Sequence, residues 1–446
     1  MNDLADRTFK HYYDQLVAGE KGLLPESSIE PVSGVPDFDD LPDGGDAALA
    51  ALDRTVVLKL NGGLGTSMGM TRAKSLLEAK DGLTFLDVIA RQVLGIRERS
   101  GARLPLVLMN SFYTREDSLD ALSRYAELRA DLPLDFVQGK VPKIEASSLE
   151  PVKWPADPDL EWAPPGHGDL YTSLLTSGML SGLLSHVYEY AFVSNADNLG
   201  AVLDERILGW FASEGLPFLM EVADRTEADR KGGHLAQRPS GDGGGLVLRE
   251  IAQTPDEDVD AFQDIRRHRF LNTNTLWVYL RALDALMRSR DGILGLPMIV
   301  NRKTVDPADS SSPAVIQLET AMGAAIDVFD GAAALRVPRS RFAPVKTTND
   351  LLVVRSDVYE LDGEARVVAK REKLPLVDLD GKHFKLLADF ESRFPAGPPS
   401  LLQCDRLTVK GDVRFGRDVV VRGTVEVTGP REIEDGALLT DETTQP

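Results

Sequence analysis

The chain has 446 residues, a formal charge of −20 from 50 Lys+Arg against 70 Asp+Glu, 43% hydrophobic residues and a single cysteine. Its length and apolar fraction suit a globular protein of about three domains and exclude general disorder or a collagen-like chain. Cys404 alone allows neither an internal disulfide nor a Cys-based zinc site, and so negative a chain is ill-suited to non-specific binding of DNA or an anionic membrane surface.

Residues 1–21 read as a helix. The opening MNDLADRTFK lacks the basic and apolar regions of a signal peptide, and no stretch nears the roughly 20 apolar residues of a membrane span, so the expected setting is the cytoplasm. Residues 22–53 hold eight Asp/Glu, no Lys or Arg and several prolines, the composition of a solvated acidic linker or arm. A β-branched, apolar strand follows at 54–60 and ends in Asn61-Gly-Gly, ahead of a helix expected from about Lys74 to Lys80. Similar apolar runs at 104–110 and 190–197 precede helical stretches at 115–130 and 203–214. Strands alternating with helices predict a doubly wound α/β fold, its sheet mostly parallel, with ligands at the carboxyl ends of the strands.

The C-terminus changes period. Leu407, Val413, Val419 and Val425 are spaced by six, as are Val409, Phe415, Val421 and Val427, with Gly411, Gly423 and Gly429 keeping the same step. This is the pattern of a β-helix, completed by an adjoining segment from about Phe384; two ordinary hairpins would also show the alternation within each strand. The division expected is therefore 1–53, helix and acidic arm; 54–383, main domain; and 384–446, β-helix. An open-ended coil also predicts a homo-oligomer formed through this tail.

The most informative segment is Leu60-Asn-Gly-Gly-Leu-Gly-Thr-Ser-Met-Gly69, with Lys74-Ser75 beyond it. Three glycines in four positions after a buried strand let successive N–H groups face phosphate oxygens, although a lone glycine loop also serves as a tight turn. Met70 excludes a Walker A loop, and Met68 at the third glycine site excludes a dinucleotide fingerprint. Residues 59–80 carry Lys59, Arg72, Lys74 and Lys80 against Glu78, and 331–346 carry Arg336, Arg339, Arg341 and Lys346 with no acid. Two basic islands in an acidic chain point to a small polyanion.

LNGGLGTSMG-x(4)-KS resembles the nucleotide-binding signature of the eukaryotic-type UTP:glucose-1-phosphate uridylyltransferases, or UDP-glucose pyrophosphorylases. The resemblance continues, in the family's order, through FVQGKVPKI (136–144), WAPPGHGDLYTSL (162–174), FVSNADNLGA (192–201), FLNTNTLWV (270–278), LPMIVNRKTVD (296–306), VIQLETAMGAAI (315–326) and VPRSRFAPVKTTNDLLVV (337–354). It spans about 300 residues, and the hexad tail resembles the family's C-terminal β-helix. Two departures are Met70-Thr-Arg-Ala, where many members have Cys-Lys-Gly-Pro, and Val141, where an aromatic is usual.

The resemblance implies a nucleotidyltransferase domain with a Rossmann-like sheet, the substrates UTP and glucose 1-phosphate, and Mg2+ as cofactor. It implies UTP contacts at Leu60, Asn61, Gly62, Gly63, Lys74, Gln138, Gly166, Asn195 and Lys346. Sugar-phosphate contacts are implied at Gly63, His167, Asn195, Asp197, Glu250, Asn272 and Asn274. Lys74 and Lys346 are the implied catalytic residues and Asp197 the implied metal ligand. The chemistry of the side chains agrees. Lysines neutralise phosphate charge, a carboxylate suits a hard cation, and the Gln138 amide offers both a donor and an acceptor to a uracil edge. An Asp after a strand is also a common helix cap, and an isolated His a common structural residue.

Two other readings remain at this point. A broader UDP-sugar or UDP-N-acetylhexosamine pyrophosphorylase usually carries Ala-Gly-Gly and an Arg in the loop, where this chain has Asn61 and Thr66-Ser-Met. A non-catalytic nucleotide-sugar-binding scaffold would dispense with a phosphate lysine or the metal carboxylate, yet Lys74, Asp197 and Lys346 are all present.

Overall fold

Thr55–Asn61 is buried along its whole length, as an apolar strand covered on both faces must be. In the computed structural model, which describes residues 3–239, 244–307 and 309–441, it lies between two parallel neighbours, Tyr190–Asn195 and Leu106–Asn110. Asp135–Val137 extends the parallel run beyond Leu106–Asn110. On the other side Phe270–Tyr279 runs antiparallel to Tyr190–Asn195, and Phe218–Asp224 antiparallel to Phe270–Tyr279, so Phe218–Asp224 regains the common direction. Ala333–Arg336 adds a further parallel strand. Among the described residues the sheet has ten strands, and register sets Asn195 beside Leu60 and Asn61 beside Asn110 at one carboxyl edge.

The helix expected at Lys74–Lys80 is absent. Lys74–Leu76 is a single 3-10 turn, and Glu78–Lys80 pairs with Leu83–Thr84 as a short hairpin. The connecting Asp81-Gly82 adopts positive φ at both residues, the preference of a tight hairpin turn. The helix starts instead at Phe85, where Thr84 and Asp87 form a capping box, and it stops before Gly101 in the left-handed region. The helical stretch expected at 115–130 is divided into Arg115–Leu122 and a 3-10 turn at Ala126–Leu128.

Residues 22–53 also differ from the solvated linker expected of them. Glu30–Pro31 pairs with Ala236 and Gln237, and Ile29, Val32 and Leu41 are buried. Gly45–Leu52 packs Ala48, Ala51 and Leu52 against the helix Glu205–Ser213; a Cβ on Gly209 would come within 3.1 Å of Gly44. Most of the acids face outward, which is why composition reads as solvated. Glu26 is an exception. Its carboxylate accepts from Arg249 Nη1 and Arg267 Nε, each at 2.5 Å, and lies 3.0 Å from His268 Nε2.

At the C-terminus Leu376–Leu379, Ser400–Lys410, Val420–Thr428 and Leu438–Leu439 form one parallel sheet, and Val413–Phe415 pairs in parallel with Arg431–Ile433. Parallel pairing overturns the hairpin alternative. Leu407 faces Val425, Val413 faces Arg431 and Val420 faces Leu438, each a step of three hexads. All eight residues of the two six-spaced series are at most 2% exposed. The adjoining strand lies at Leu376–Leu379, ahead of the Phe384 expected to begin it. Phe384 onward supplies short helices instead, and Phe394 stacks on Phe415 with ring centroids 4.8 Å apart.

Candidate active site

Beyond Asn61 the chain leaves the sheet as a loop that closes on itself, with Lys74 N donating to Gly63 O at 3.0 Å. Gly65 and Gly69 have φ of 67° and 74°, which side chains rarely tolerate. The two earlier glycines serve different purposes. A Cβ on Gly62 would meet the Gln138 amide at 2.8–3.0 Å, whereas one on Gly63 would meet nothing within 4 Å. Gly62 thus admits the Gln138 side chain, and Gly63 leaves backbone open to the cleft.

That cleft has a volume of about 290 Å3 and takes ten of the fourteen expected residues: Leu60, Asn61, Gly62, Gly63, Lys74, Gln138, Gly166, His167, Asn195 and Asp197. Lys346, Glu250, Asn272 and Asn274 are not part of its wall. They form a corner joined to it through short contacts. His167 Nδ1 accepts from Met322 N at 2.9 Å; a Cβ on the next residue, Gly323, would come 2.9 Å from Asn272 Nδ2. Asn272 N donates to Gly233 O, and Gly233 has no room for a Cβ because the Glu250 carboxylate would stand 2.5 Å away. Asn272 and Asn274 are on one side, as expected of alternate strand residues, but through a bulge: Asn274 has φ 55° and accepts from Asn272 Nδ2 at 3.0 Å.

Electrostatics tie the corner to Lys346. Burial, and then the Lys346 ammonium, lower His167 to about 4, so its ring is neutral near pH 7. Because Nδ1 accepts a backbone N–H, the ring proton sits on Nε2. Burial raises Glu250 to about 7 against the opposite pull of Lys346. Lys74 Nζ and Asp197 Oδ2 are 2.7 Å apart, an ion pair at the edge of the cleft. Gly166 has φ 79°, and a Cβ there would fall 2.5 Å from Thr320 O.

The basic islands are mostly not what a count of charges suggests. Lys59 is buried and donates to Ser194 Oγ and Ala201 O, Arg72 pairs with Asp117, and Lys80 donates to Arg355 O and Ser356 O. In the second island Arg336 pairs with Asp37 and Asp224, Arg339 with Asp229 and Arg341 with Glu221. Among the described residues Lys346 alone of that island makes no ion pair, and Lys74 alone of the first reaches the cleft. The Asn61 side chain is likewise turned inward, donating to Asn110 Oδ1 and Ser118 Oγ at 2.8 Å, which leaves its backbone for any ligand.

A sequence model described as UTP--glucose-1-phosphate uridylyltransferase matches residues 7–422. The chain belongs to that family. The uridylyltransferase of Solanum tuberosum is 43% identical over 397 residues, covering 87% of this chain and 80% of its own. That of Saccharomyces cerevisiae is 44% identical over 377 residues, covering 84% and 74%. Among solved structures, a mutant UDP-glucose pyrophosphorylase from Leishmania major in complex with UDP-glucose is 46% identical, with a TM-score of 0.93 over 99% of this chain and 95% of that one.

Within this family frame, two residues of the site were passed over in the sequence. Asp169, in the same His-Gly-Asp turn as His167, accepts from Gly139 N and Ser173 Oγ at 2.6 Å and so holds the backbone beside Gln138. Asn198, next to Asp197, bonds across to the loop that carries Lys346. The signal for Asp169 was the tight glycine-bounded turn; for Asn198 there was only adjacency. Among the described residues no group of three or more His, Cys, Asp or Glu could hold a metal by itself, and none of the helices is long and apolar enough to cross a membrane.

Proposed function

We propose that this chain joins UTP and glucose 1-phosphate into UDP-glucose and pyrophosphate. The observation that carries the reading is one cleft in which an open glycine loop, a base-reading amide, and the Lys74–Asp197 pair face the same space. A sugar-phosphate oxygen attacks the α-phosphorus of UTP in line; the new P–O bond forms as the α–β bridge breaks, and its electron pair leaves with pyrophosphate. Such transfers depend on positioning and on neutralising charge rather than on covalent help.

In this reading the backbone at Leu60, Asn61, Gly62 and Gly63 cradles UTP, Gln138 pairs with the uracil edge, and Gly166 admits the base against the main chain. Lys74 neutralises the triphosphate and Lys346 meets charge developing on the transferred phosphate. His167 donates from Nε2 to the sugar phosphate, Asn195 reaches the sugar phosphate and nucleotide, and Glu250, Asn272 and Asn274 bind sugar hydroxyls. Asp197 offers one hard oxygen beside the phosphate cradle, and Mg2+ is commonly held by one or two carboxylates with substrate phosphates, so the donor set fits it. When bound there, the ion would supply Lewis-acid neutralisation of phosphate charge.

Pyrophosphate release from UTP and glucose 1-phosphate, with and without Mg2+, tests this directly; no product in either condition overturns it. Turnover with galactose 1-phosphate or N-acetylglucosamine 1-phosphate above that with glucose 1-phosphate would move the assignment to a broader UDP-sugar enzyme.

The three-hexad step and the buried six-spaced series support a β-helix at the C-terminus, appended to a catalytic unit of 54–383, with Leu376–Leu379 at the seam. Among the described residues its last strand, Leu438–Leu439, leaves a parallel sheet edge suited to pairing with a second copy. A chain truncated after Pro395 should lose oligomeric mass in sedimentation; retained mass would place assembly elsewhere. The cytoplasmic setting rests on the single buried thiol, and fractionation of cells tests it.

A further inference from the structure

Asp197 and Lys346 come from loops separated by about 150 residues of sequence, and the transfer chemistry depends on how far apart they are held. Asp197 follows the strand Tyr190–Asn195; Lys346 follows the loop at 338–345. The two loops meet at a short antiparallel bridge, Asn198 with Pro344, and Val345 N donates to Asp197 O at 3.0 Å.

The Asn198 side chain joins them. Asn198, 2% exposed, donates from Nδ2 to Arg341 O at 3.2 Å and accepts at Oδ1 from Ala343 N at 2.9 Å and Gly200 N at 3.2 Å. The bond to Gly200 is an ordinary Asx turn within its own loop. The other two cross to the Lys346 loop, and turn formation does not require them. Contact is so close that a Cβ on Gly200 would stand 2.5 Å from Ser340 O.

The clamp is fixed from below. Arg341, whose carbonyl Asn198 holds, makes a two-pronged ion pair with the buried Glu221 at 2.7 Å and donates to Val202 O at 2.9 Å. Glu221 also accepts from Trp277 Nε1, and Lys59 Nζ donates to Ala201 O. Both loops therefore rest on one buried set of charges in the central sheet, and the Asn198 amide sets their register above it.

We propose that Asn198 is a positioning residue for the transfer step: through Arg341 O and Ala343 N it fixes the Lys346 loop relative to Asp197. The inference rests on the roles assigned above to those two residues. A placement error of about 1 Å in such an arrangement costs up to about a hundredfold in rate. Asn198 itself touches neither reacting group.

The test compares the wild-type chain with Asn198→Ala. Wild-type synthesis of UDP-glucose is measured first, and its absence would sink the functional reading rather than the clamp. With an active wild type, Asn198→Ala should lower kcat about ten- to a hundredfold, in both synthesis and pyrophosphorolysis, while the Kd for UTP from calorimetry moves by less than about twofold. Unchanged kcat overturns the proposal. So does a loss of UTP affinity equal to the loss of rate, which would mark a general structural role. Should Asn198→Ala not fold, Asn198→Asp keeps both acceptor bonds and loses the donor to Arg341 O; it is read by the same split, with wild-type kcat again refuting the clamp.

Discussion

Lys74 Nζ lies 2.7 Å from Asp197 Oδ2, so the proposed phosphate ligand and the proposed metal ligand neutralise each other. Both side chains are mostly buried, at 16% and 23% exposure, and neither would sit easily there without a partner. In the proposed reading, Lys74 would turn to the triphosphate and Asp197 to a metal ion, so each would keep a partner of opposite sign. Asp197→Asn should therefore raise the Mg2+ concentration needed for half-maximal rate and lower kcat by about a hundredfold, because the amide is a poor ligand for a hard cation. A metal titration of initial rate checks it; an unchanged Mg2+ requirement removes Asp197 from the metal site. Lys74→Met is expected to weaken UTP binding instead.

Lys346 is exposed and outside the ion-pair networks that anchor its neighbours. Lys346→Ala should leave Tm nearly unchanged and lower kcat by about a hundredfold or more. It should also raise the pKa of both His167 and Glu250, since the ammonium favours the neutral ring and the ionised carboxyl. NMR titration of the His167 ring reads this without turnover. No upward movement would mean that Lys346 does not face the corner in solution.

Asp169 gives a pH-dependence of stability. Burial raises its carboxyl to about 6, partly offset by the Ser173 hydroxyl and Gly139 N–H. Between the ordinary carboxyl value of about 4 and about 6 the native state keeps a proton that the unfolded chain has lost. This group's contribution is thus fully present below that window and declines as pH rises through it. Asp169→Asn lacks the titration, so its Tm relative to wild type should rise between pH 4 and pH 7. A constant difference across that range would refute the burial argument.

Gly166→Ala places a methyl group 2.5 Å from Thr320 O at a backbone φ of 79°. Strain of this kind costs about 1–3 kcal/mol. Calorimetry should show a lowered Tm, and the KM for UTP should rise as the turn shifts away from the cleft. Unaltered values of both would mean that the turn relaxes freely.

Much of this architecture is legible in the residues. Thr55–Asn61, Leu106–Asn110 and Tyr190–Asn195 stand out because a strand buried on both faces must be continuously apolar. The hexads at 407–427 announce a repeating buried column. Other features could not be read locally. The Lys74–Lys80 helix fails because Asp81-Gly82 prefers a hairpin turn, a preference that outweighs a short helical pattern. The basic islands carry less free charge than a count along the chain implies, because the partners of Arg336, Arg339 and Arg341 come from Asp37, Asp224, Asp229 and Glu221, more than 100 residues away in the chain. Charge counted along a sequence does not tell which cation turns inward.

The packed arm at 22–53 bears on how the chain is made. Synthesised early, it finds its partners only much later: Glu30 waits for Gln237, Glu26 for Arg249 and Asp37 for Arg336. Contacts of such long range form slowly, and a growing chain must remain soluble meanwhile. Ile29 is buried with Ala236 and Val247, and it lacks that cover until those residues are made. Eight acids with no Lys or Arg among residues 22–53 give the segment one sign of charge, which opposes self-association while its partners are absent.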